Sequence, residues 1–323
     1  MSLPERRVLR FVLFDGCELL DFAGPMQAFH EANDLIGNQG IRYQMHLHAL
    51  KESVVTEQGL RVAGLLPLPM AKAEDLILVP GYVVGRVHPE QALIDWLKSS
   101  FSRGARVASI CTGAFALAEA GILDGRQCTT HWKRVKELAT RFPLAHVAAD
   151  RLFVEDGRVK TSAGIAAGID MALAIIEQDH GARLAAEVAR EMVVYLRRDP
   201  AQSQSSVYLA YRNHIDPLVH GLQDKLCADP AMRLTLAELA GELGCSERTL
   251  TRIFRKETGI SIAHYRQQLR MEQARTLLAN PELTLDDVAL QCGYEDVRQL
   301  RRVFVLHFGC TLSAYRRQYH TSA

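Results

Sequence analysis

Two stretches of the C-terminal third decide its fold: L-A-E-L-A-G-E-L-G-C-S-E-R-T-L-T-R-I-F at residues 236–254 and L-D-D-V-A-L-Q-C-G-Y-E-D-V-R-Q-L-R-R-V-F at residues 285–304. In each copy an alanine, Ala240 or Ala289, stands four residues before a glycine. A leucine, a phenylalanine, a second glycine and a Tyr-Arg pair follow at matching offsets, with one extra residue in the second copy. A pattern repeated after about fifty residues predicts two similar helical units.

Each copy has the signals of a helix-turn-helix. The small alanine lets two helices cross closely, and the turn glycines, Gly244 and Gly293, suit a left-handed backbone that only glycine adopts cheaply. Polar residues then suit the start of a second helix: Ser246 and Glu247 in one copy, Glu295 and Asp296 in the other. The pattern predicts two helix-turn-helix units.

The second helix of each unit is predicted to carry polar and cationic side chains opposite its apolar stripe. They are Ser246, Arg248, Thr249, Arg252, Arg255 and Lys256 in the first unit, and Arg298, Gln299, Arg301 and Arg302 in the second. Such charges suit a phosphate backbone and a major groove. The alternative is a solvated face balanced by acids, because residues 221–323 hold 14 Lys and Arg against 12 Asp and Glu. The duplication around the turn glycine favours the DNA-binding interpretation.

With these motifs, the last hundred residues resemble the DNA-binding domain of AraC/XylS transcription regulators. The resemblance implies an all-α domain whose two helix-turn-helix units are joined by a long helix, here 262–278, and enter successive major grooves about 34 Å apart. It implies double-stranded DNA as a partner.

Composition limits the other classes of protein. The chain has 323 residues, 48% of them hydrophobic, and a net charge of +1, which favours two or three folded domains over disorder. The seven cysteines form no C-x-x-C pair, so we expect free thiols in a reducing cytoplasm rather than disulfides or a zinc site. We expect no signal peptide, membrane span, metal or cofactor.

The front half alternates short apolar runs with helical patterns. We predict strands at 7–14, 43–50, 75–79 and 106–110, and helices at 20–33, 91–102 and 114–120. This alternation predicts an α/β fold with a mostly parallel sheet covered by helices on both faces. Ligands of such folds bind at the carboxyl ends of the strands.

Those strand ends carry the residues that suggest chemistry. Cys111 is expected in a tight strand-to-helix turn, where the helix N-terminus would lower the pKa of its thiol. His131 is expected at the end of the next strand, and Asp21 follows the first strand. Gly81 would offer its N–H group to an oxyanion or a carboxylate. Cysteine, histidine and acid together have the parts for thiol chemistry.

Each of these residues also has a purely structural interpretation. Cys111 could be a small core residue, His131 could cap or fill the sheet edge, and Asp21 could cap the helix that follows. The three residues taken together favour a functional site over three separate structural roles.

Residues 7–180 resemble the PfpI and isonitrile hydratase branch of the class I glutamine amidotransferase-like superfamily. The matching motifs are C-T-G at Cys111 and Thr112, L-D-F-x-G-P at Asp21, and T-S-A-G at 161–164. The resemblance implies a flavodoxin-like fold. In the enzymes of this branch the matching cysteine and acid are catalytic, so we take Asp21, Gly81, Cys111, Thr112 and His131 as candidate residues of a ligand pocket.

A helix is predicted at 183–196, followed by a polar linker that includes Arg197 and Arg198. The two arginines could touch phosphate or simply be solvated. We divide the chain into a sensor domain at 1–195, a linker at 196–220 and a DNA-binding domain at 221–323. Regulators that fuse these two domain types form a known subgroup, which this chain resembles from end to end, including the R-R-x-x-x-Q-x-Q segment.

The resemblance favours a cytoplasmic transcription regulator whose front domain senses a small nitrogenous metabolite. Such a protein is expected to be a homodimer, and an activator would also contact RNA polymerase. One alternative is a working enzyme with a cysteine nucleophile, an isonitrile hydratase or glyoxalase-like hydratase fused to a DNA-binding domain. Another is a front domain that only dimerises.

Overall fold

In the computed structural model the chain is described over residues 6–37, 40–149, 151–194, 204, 211–278, 280 and 282–320. It divides into a front unit, Met1–Gln204, and a C-terminal unit, Ser205–Ala323. Within the described part, no helix is both long enough and apolar enough to span a bilayer.

The front unit is built on a six-stranded sheet with the order β2-β1-β5-β6-β10-β9. Five of its strands run parallel and β9 is antiparallel to β10, which confirms the predicted mostly parallel sheet. The strands of the front unit are β1 (Arg6–Val12), β2 (Arg42–His48), β3 (Ser53–Val55), β4 (Arg61–Ala63), β5 (Leu76–Val79), β6 (Arg106–Ile110), β7 (Gln127–Cys128), β8 (His146–Val147), β9 (Phe153–Asp156) and β10 (Val159–Ser162).

Helices cover both faces of this sheet. All four residues of β5 are buried, and since successive side chains point to opposite faces, both faces of the central strand are covered. The helices are α1 (Leu19–Ile36), α2 (Gln91–Ser102), α3 (Gly113–Glu119), α4 (Val135–Arg141), α5 (Ile165–His180) and α6 (Ala182–Glu191). Among them α1, α5 and α6 pack on one another, and α2 packs on α3.

Two small sheets lie outside the main one and were not predicted as such: the antiparallel pair β3–β4 and the parallel pair β7–β8. The strand before His131 is β7, so His131 does not follow a strand of the main sheet as the sequence suggested. The strand has only two residues, too few for a hydrophobic period to show which sheet it joins.

The last described helix of the front unit is shorter than predicted. It ends at Glu191, with Val193 just beyond it in a left-handed conformation (φ 54°), whereas the sequence suggested a helix to Leu196. Residues 195–203, which include Arg197 and Arg198, lie outside the described part of the chain.

The C-terminal unit is helical and contains the predicted duplication. Its described helices are α7 (Pro217–Ala228), α8 (Leu236–Glu242), α9 (Glu247–Thr258), α10 (Ile262–Leu278), α11 (Leu285–Gln291), α12 (Val297–Phe308) and α13 (Leu312–His320). Capping boxes at Thr235 and Thr284 start α8 and α11 in the same way. Gly244 and Gly293 both have positive φ, at 68° and 74°, as the turn of each copy was predicted to require.

The two helix-turn-helix units have separate hydrophobic cores. Buried residues of the first include Leu250 and Phe254 from α9, and those of the second include Leu300 and Phe304 from α12. The long helix α10 contributes to both cores: its first half, through Leu269, packs in the first, and its second half packs in the other.

Candidate functional site

Cys111 occupies a strained turn between β6 and α3. Its φ is 55°, a left-handed value that costs a non-glycine residue about 1–3 kcal/mol and that concentrates at functional sites. Its backbone N–H donates to the carbonyl oxygen of Ser162 (2.9 Å), which ties the turn to the end of β10. Gly113 must follow, because a Cβ there would stand 2.4 Å from the Val79 carbonyl oxygen. The surrounding backbone therefore fixes the position of Cys111.

Asp21 lies in the first turn of α1 and is fully buried. Its Oδ2 accepts a hydrogen bond from the N–H of Gly81 (2.9 Å), while Oδ1 has no hydrogen-bond partner within the described chain. Burial raises the pKa of this carboxyl to about 7, the charge of Glu18 adds to the rise, and the Gly81 hydrogen bond opposes it. Asp21 therefore does not cap its own helix, and its proton is held up to near-neutral pH.

Gly81 is the point around which the predicted residues meet. A Cβ built on Gly81 would be 2.5 Å from Asp21 Oδ2, 2.9 Å from Cys111 Cβ and 3.0 Å from Thr112 Oγ1. The glycine is needed for this close approach. Its N–H was predicted to bind an oxyanion or a carboxylate, and the carboxylate it binds is that of Asp21, inside the protein.

Thr112 joins the turn to the segment that follows β5. Its hydroxyl accepts from the N–H of Tyr82 (2.7 Å) and donates to the Tyr82 carbonyl oxygen (2.6 Å). Both hydrogen-bonding roles of the hydroxyl are thus used within the protein. Thr112 positions the wall of the site.

The thiol of Cys111 does not have the lowered pKa that the sequence suggested. Burial raises the pKa of Cys111 to about 12, the charge of Asp21 raises it further, and hydrogen bonds with Thr112 only partly oppose this. The prediction was wrong because burial of the sulfur, together with the charge of Asp21, outweighs the hydrogen bonds that lower the pKa. At neutral pH the sulfur is a thiol.

His131 lines the same cavity as Cys111 but forms no described hydrogen bond with its sulfur. Its Nδ1 accepts from the N–H of Lys133 (3.4 Å) and so caps a short 3-10 helix, Trp132–Arg134. Burial and the charges of Lys133 and Arg134 lower the pKa of the imidazole. Among the described hydrogen bonds, none joins His131 to Cys111. The capping interpretation of this histidine is the one that the structure shows.

Asp21, Cys111, Thr112 and His131 line a cavity with a volume of about 660 Å³, within the size range of small-molecule sites, whereas the predicted Gly81 lies behind Asp21 and is not among the lining residues. Acids and cations line it together with an aromatic ring, Trp132, which is 55% exposed. The sequence did not identify Glu18, Tyr82, Lys133 or Arg134 as lining residues, and it included Gln204 only as the last residue of the R-R-x-x-x-Q-x-Q segment. The polar and aromatic lining residues are Glu18, Asp21, Tyr82, Cys111, Thr112, His131, Trp132, Lys133, Arg134 and Gln204.

In the C-terminal unit the predicted DNA-binding residues lie on exposed faces. Ser246 caps α9, where its Oγ accepts from the half-buried Thr249 (3.2 Å), and Asp296 caps α12 by accepting from Gln299 (2.7 Å). The remaining predicted residues are exposed: Arg248, Arg252, Arg255, Lys256, Arg298, Arg301 and Arg302.

The charge of these two faces is mostly not neutralised within the chain. Over the described residues, Lys256 pairs with Glu257 (2.9 Å), and the arginines of α9 and α12 form no ion pair. A cleft of about 440 Å³ brings Gln299 and Arg302 together with Arg266 and Arg270 of α10. Those two arginines donate to loop carbonyls, including those of Leu234 and Pro230, and thus brace the turns.

Comparison with known proteins assigns both halves to families. Residues 6–178 match the DJ-1/PfpI family, and residues 239–318 match a helix-turn-helix domain. The HTH-type transcriptional regulator GbdR of Pseudomonas aeruginosa is 30% identical over 301 residues, with 93% of this chain and 81% of the relative covered. The regulator CdhR of the same organism is 31% identical, with coverage of 95% and 90%.

Two further comparisons are with an enzyme and with a solved structure. An isonitrile hydratase of Pseudomonas putida is 31% identical over 171 residues, which cover 52% of this chain and 70% of the enzyme. The crystal structure of an AraC family transcriptional regulator from Pseudomonas putida superposes with a TM-score of 0.52 at 23% identity, over 58% of this chain and all of that one. The last similarity supports the fold.

Proposed function

Since this chain belongs to the HTH-type transcriptional regulators, with a front half of the DJ-1/PfpI family and an AraC-type helix-turn-helix domain, we propose that its front unit senses a small nitrogenous metabolite. The C-terminal unit binds DNA through the helix-turn-helix domain. Binding of the metabolite then changes how the regulator acts at its operator.

On the DNA side, α9 and α12 are the recognition helices, placed in successive major grooves by α10. Their residues divide into contacts to base edges and contacts to phosphate. The DNA-binding residues that we propose are Ser246, Arg248, Thr249, Arg252, Arg255, Lys256, Arg298, Gln299, Arg301 and Arg302. Their exposure and the scarcity of internal ion pairs support this assignment.

The observation that carries the sensing proposal is the 660 Å³ cavity and its lining. The carboxylate of Glu18 and the exposed ring of Trp132 attract a cationic nitrogen, by charge and by cation–π attraction, and Asp21 adds a negative charge only above its pKa of about 7. Lys133 and Arg134 line the same cavity and would hold an acidic group of the same ligand. A small metabolite with both groups, such as an amino acid or a quaternary-amine acid, satisfies the whole wall.

Sensing is favoured over turnover by the state of the thiol. A catalytic cysteine acts as the thiolate, whereas the pKa of Cys111 is about 12 and its described hydrogen bonds do not include His131. We therefore propose that the front unit is not an enzyme. The candidate pocket residues Asp21, Gly81, Cys111, Thr112 and His131 would shape and bind rather than react.

The second candidate function is an enzyme of the isonitrile hydratase type fused to a DNA-binding domain. The left-handed Cys111 beside Asp21, and the 31% identity to an isonitrile hydratase, favour it. Cys111→Ala separates the two functions: a hydratase loses all product formation, whereas a sensor forms no product in either protein and keeps its DNA binding.

We further propose a cytoplasmic homodimer with a sensor domain at 1–195, a linker at 196–220 and a DNA-binding domain at 221–323. A dimer would bind an operator with two half-sites. If the protein is an activator, RNA polymerase is a further partner. A front unit that only dimerises is the remaining alternative, and it predicts that no cavity substitution changes ligand binding or transcription.

The DNA part is tested by selecting genomic fragments with the purified full-length protein and measuring affinity at physiological salt. We expect Arg252→Ala and Arg301→Ala each to weaken operator binding by about 1–3 kcal/mol where the arginine meets a base edge, and to weaken all duplexes alike where it meets phosphate. Arg183→Ala, an exposed arginine of α6, is the matched control and should change nothing. Equal affinity for selected and random duplex would contradict the proposal.

The sensing part is tested by thermal-shift measurements on the full-length protein with a panel of amino acids and quaternary amines. A binder raises the melting temperature by mass action. The proposed class is wrong if acidic or purely apolar metabolites bind and nitrogenous ones do not.

A further inference from the structure

Gln204 is the last residue of the front unit, and its side chain binds the wall of the cavity. Its Nε2 donates to the Thr129 hydroxyl (3.2 Å) and to the Thr130 carbonyl oxygen (3.0 Å). The residue lines the same cavity as Cys111 and His131. It belongs to the front unit, and the C-terminal unit begins at the next residue, Ser205.

The wall that receives Gln204 is rigid. Thr129 and Thr130 are both fully buried. The Thr129 N–H donates to the Thr161 hydroxyl on β10 (2.8 Å), and the Thr130 hydroxyl donates to the carbonyl oxygen of Cys111 (2.9 Å). Thr130 therefore contacts both the strained turn and Gln204, and only two hydrogen bonds separate the Cys111 carbonyl from the Gln204 amide.

We infer that Gln204 is a ligand-contacting residue of this cavity, and that its attachment to the Thr129–Thr130 wall reports cavity occupancy to the chain that continues into the C-terminal unit. This inference rests on the proposed sensing function. A glutamine amide offers both a donor and an acceptor, so it can hold the wall and meet a polar ligand at the same time.

Thermodynamic linkage gives the inference a definite direction. A ligand that contacts Gln204 stabilises its attachment to the wall, and the attachment must then raise the affinity for the ligand by the same factor. Loss of the side chain should weaken ligand binding and also remove the effect of the ligand on DNA binding. If Gln204 only filled space, removal of its amide donor alone would not change ligand binding.

The first test needs no metabolite. Iodoacetamide alkylation of Cys111 at pH 9, followed by site-resolved mass spectrometry of the full-length protein, measures how accessible the cavity is. We expect Gln204→Ala and the isosteric Gln204→Glu, which lacks the amide donor, to raise the alkylation rate at least about threefold. Gln91→Ala, an exposed glutamine of α2, should leave the rate unchanged. An unchanged rate in both Gln204 variants, with an unchanged melting temperature, overturns the inference.

The second test measures calorimetric binding of L-arginine and of N,N,N-trimethylglycine to the same full-length proteins. We expect Gln204→Ala to weaken the probe that binds by about 3- to 10-fold and to remove its effect on operator affinity. Unchanged probe binding in Gln204→Ala overturns the inference. If neither probe binds the wild-type protein, the proposed ligand class fails, and the alkylation result alone decides for or against Gln204.

Discussion

The buried carboxyl of Asp21 makes the stability of the front unit depend on pH in a direction opposite to that of most acids. The pKa of Asp21 is about 7, raised from an ordinary 3.8 mainly by burial. Asp21→Asn keeps the side-chain size and an oxygen that can accept from the Gly81 N–H, but it never ionises. Comparison of the two proteins therefore isolates the cost of the buried charge.

The size of the effect follows from the two pKa values. The stabilising contribution of the protonated carboxyl is fully present below pH 3.8 and is lost as the pH rises through 7. In that window the unfolded chain has lost a proton that the folded chain still holds, so each pH step costs about 1.4 kcal/mol. Between pH 5 and pH 8 the wild type should lose about 2–3 kcal/mol of unfolding free energy relative to Asp21→Asn.

Urea unfolding followed by tryptophan fluorescence measures this difference. The chain has two tryptophans, Trp96 and Trp132, and both lie in the front unit, so the signal reports that unit even in the full-length protein. His131, whose pKa is lowered by burial and by the charges of Lys133 and Arg134, is present in both proteins, and its contribution cancels in the difference.

Asp15→Asn is the control for the measurement. A hydrogen bond from the Val55 N–H and the neighbouring Lys51 lower the pKa of Asp15, so this acid is ionised in both the folded and the unfolded state from pH 5 to 8. Its difference from wild type should not change with pH. If the wild-type and Asp21→Asn stabilities run parallel from pH 5 to pH 8, the argument from burial is refuted.

Two further predictions use the duplicated turns and the buried thiol. Gly244→Ala should lower the free energy of unfolding by about 1 kcal/mol, because of its left-handed backbone alone. Gly293→Ala should lower it at least twice as much, because a Cβ there would lie 2.7 Å from the Ala231 carbonyl oxygen. Urea unfolding followed by circular dichroism measures both losses, and equal losses would contradict the geometry. The pKa of Cys111 is about 12 rather than 9, so its alkylation at pH 7 should be about a thousandfold slower than that of a free cysteine. The alkylation rate should rise about tenfold per pH unit, and a rate that levels off below pH 8 would show the thiol to be activated.

Much of the fold could be predicted because local and global signals agree. The helix at 91–102 and the strand at 106–110 have the bounds that their residue pattern predicted, and the long helix at 262–278 has those that the family resemblance implied. The duplicated turns were recognisable because Gly244 and Gly293 meet the same backbone demand. The two-residue strands β7 and β8 carry no period at all, and they form only through long-range pairing.

The site could be predicted in part. The sequence placed Asp21, Cys111 and His131 near one cavity, as strand-end residues should be. It could not show that burial would raise the pKa of Cys111, because desolvation depends on the packing around the sulfur. It included Gln204 in the R-R-x-x-x-Q-x-Q segment but could not place it at the cavity, because its partners Thr129 and Thr130 lie more than seventy residues earlier in the chain.

The packing of the two halves of α10 in different cores affects how the protein can evolve. Because each half of the helix is embedded in a different core, the proposed mode of DNA binding lets the base preference of α9 change without repacking α12, and the reverse holds as well. The length of α10 is not free in the same way. One residue inserted between Leu269 and Met271 would turn one unit by about 100° and shift it by about 1.5 Å relative to the other, which would put the two recognition helices out of phase with the pitch of the double helix.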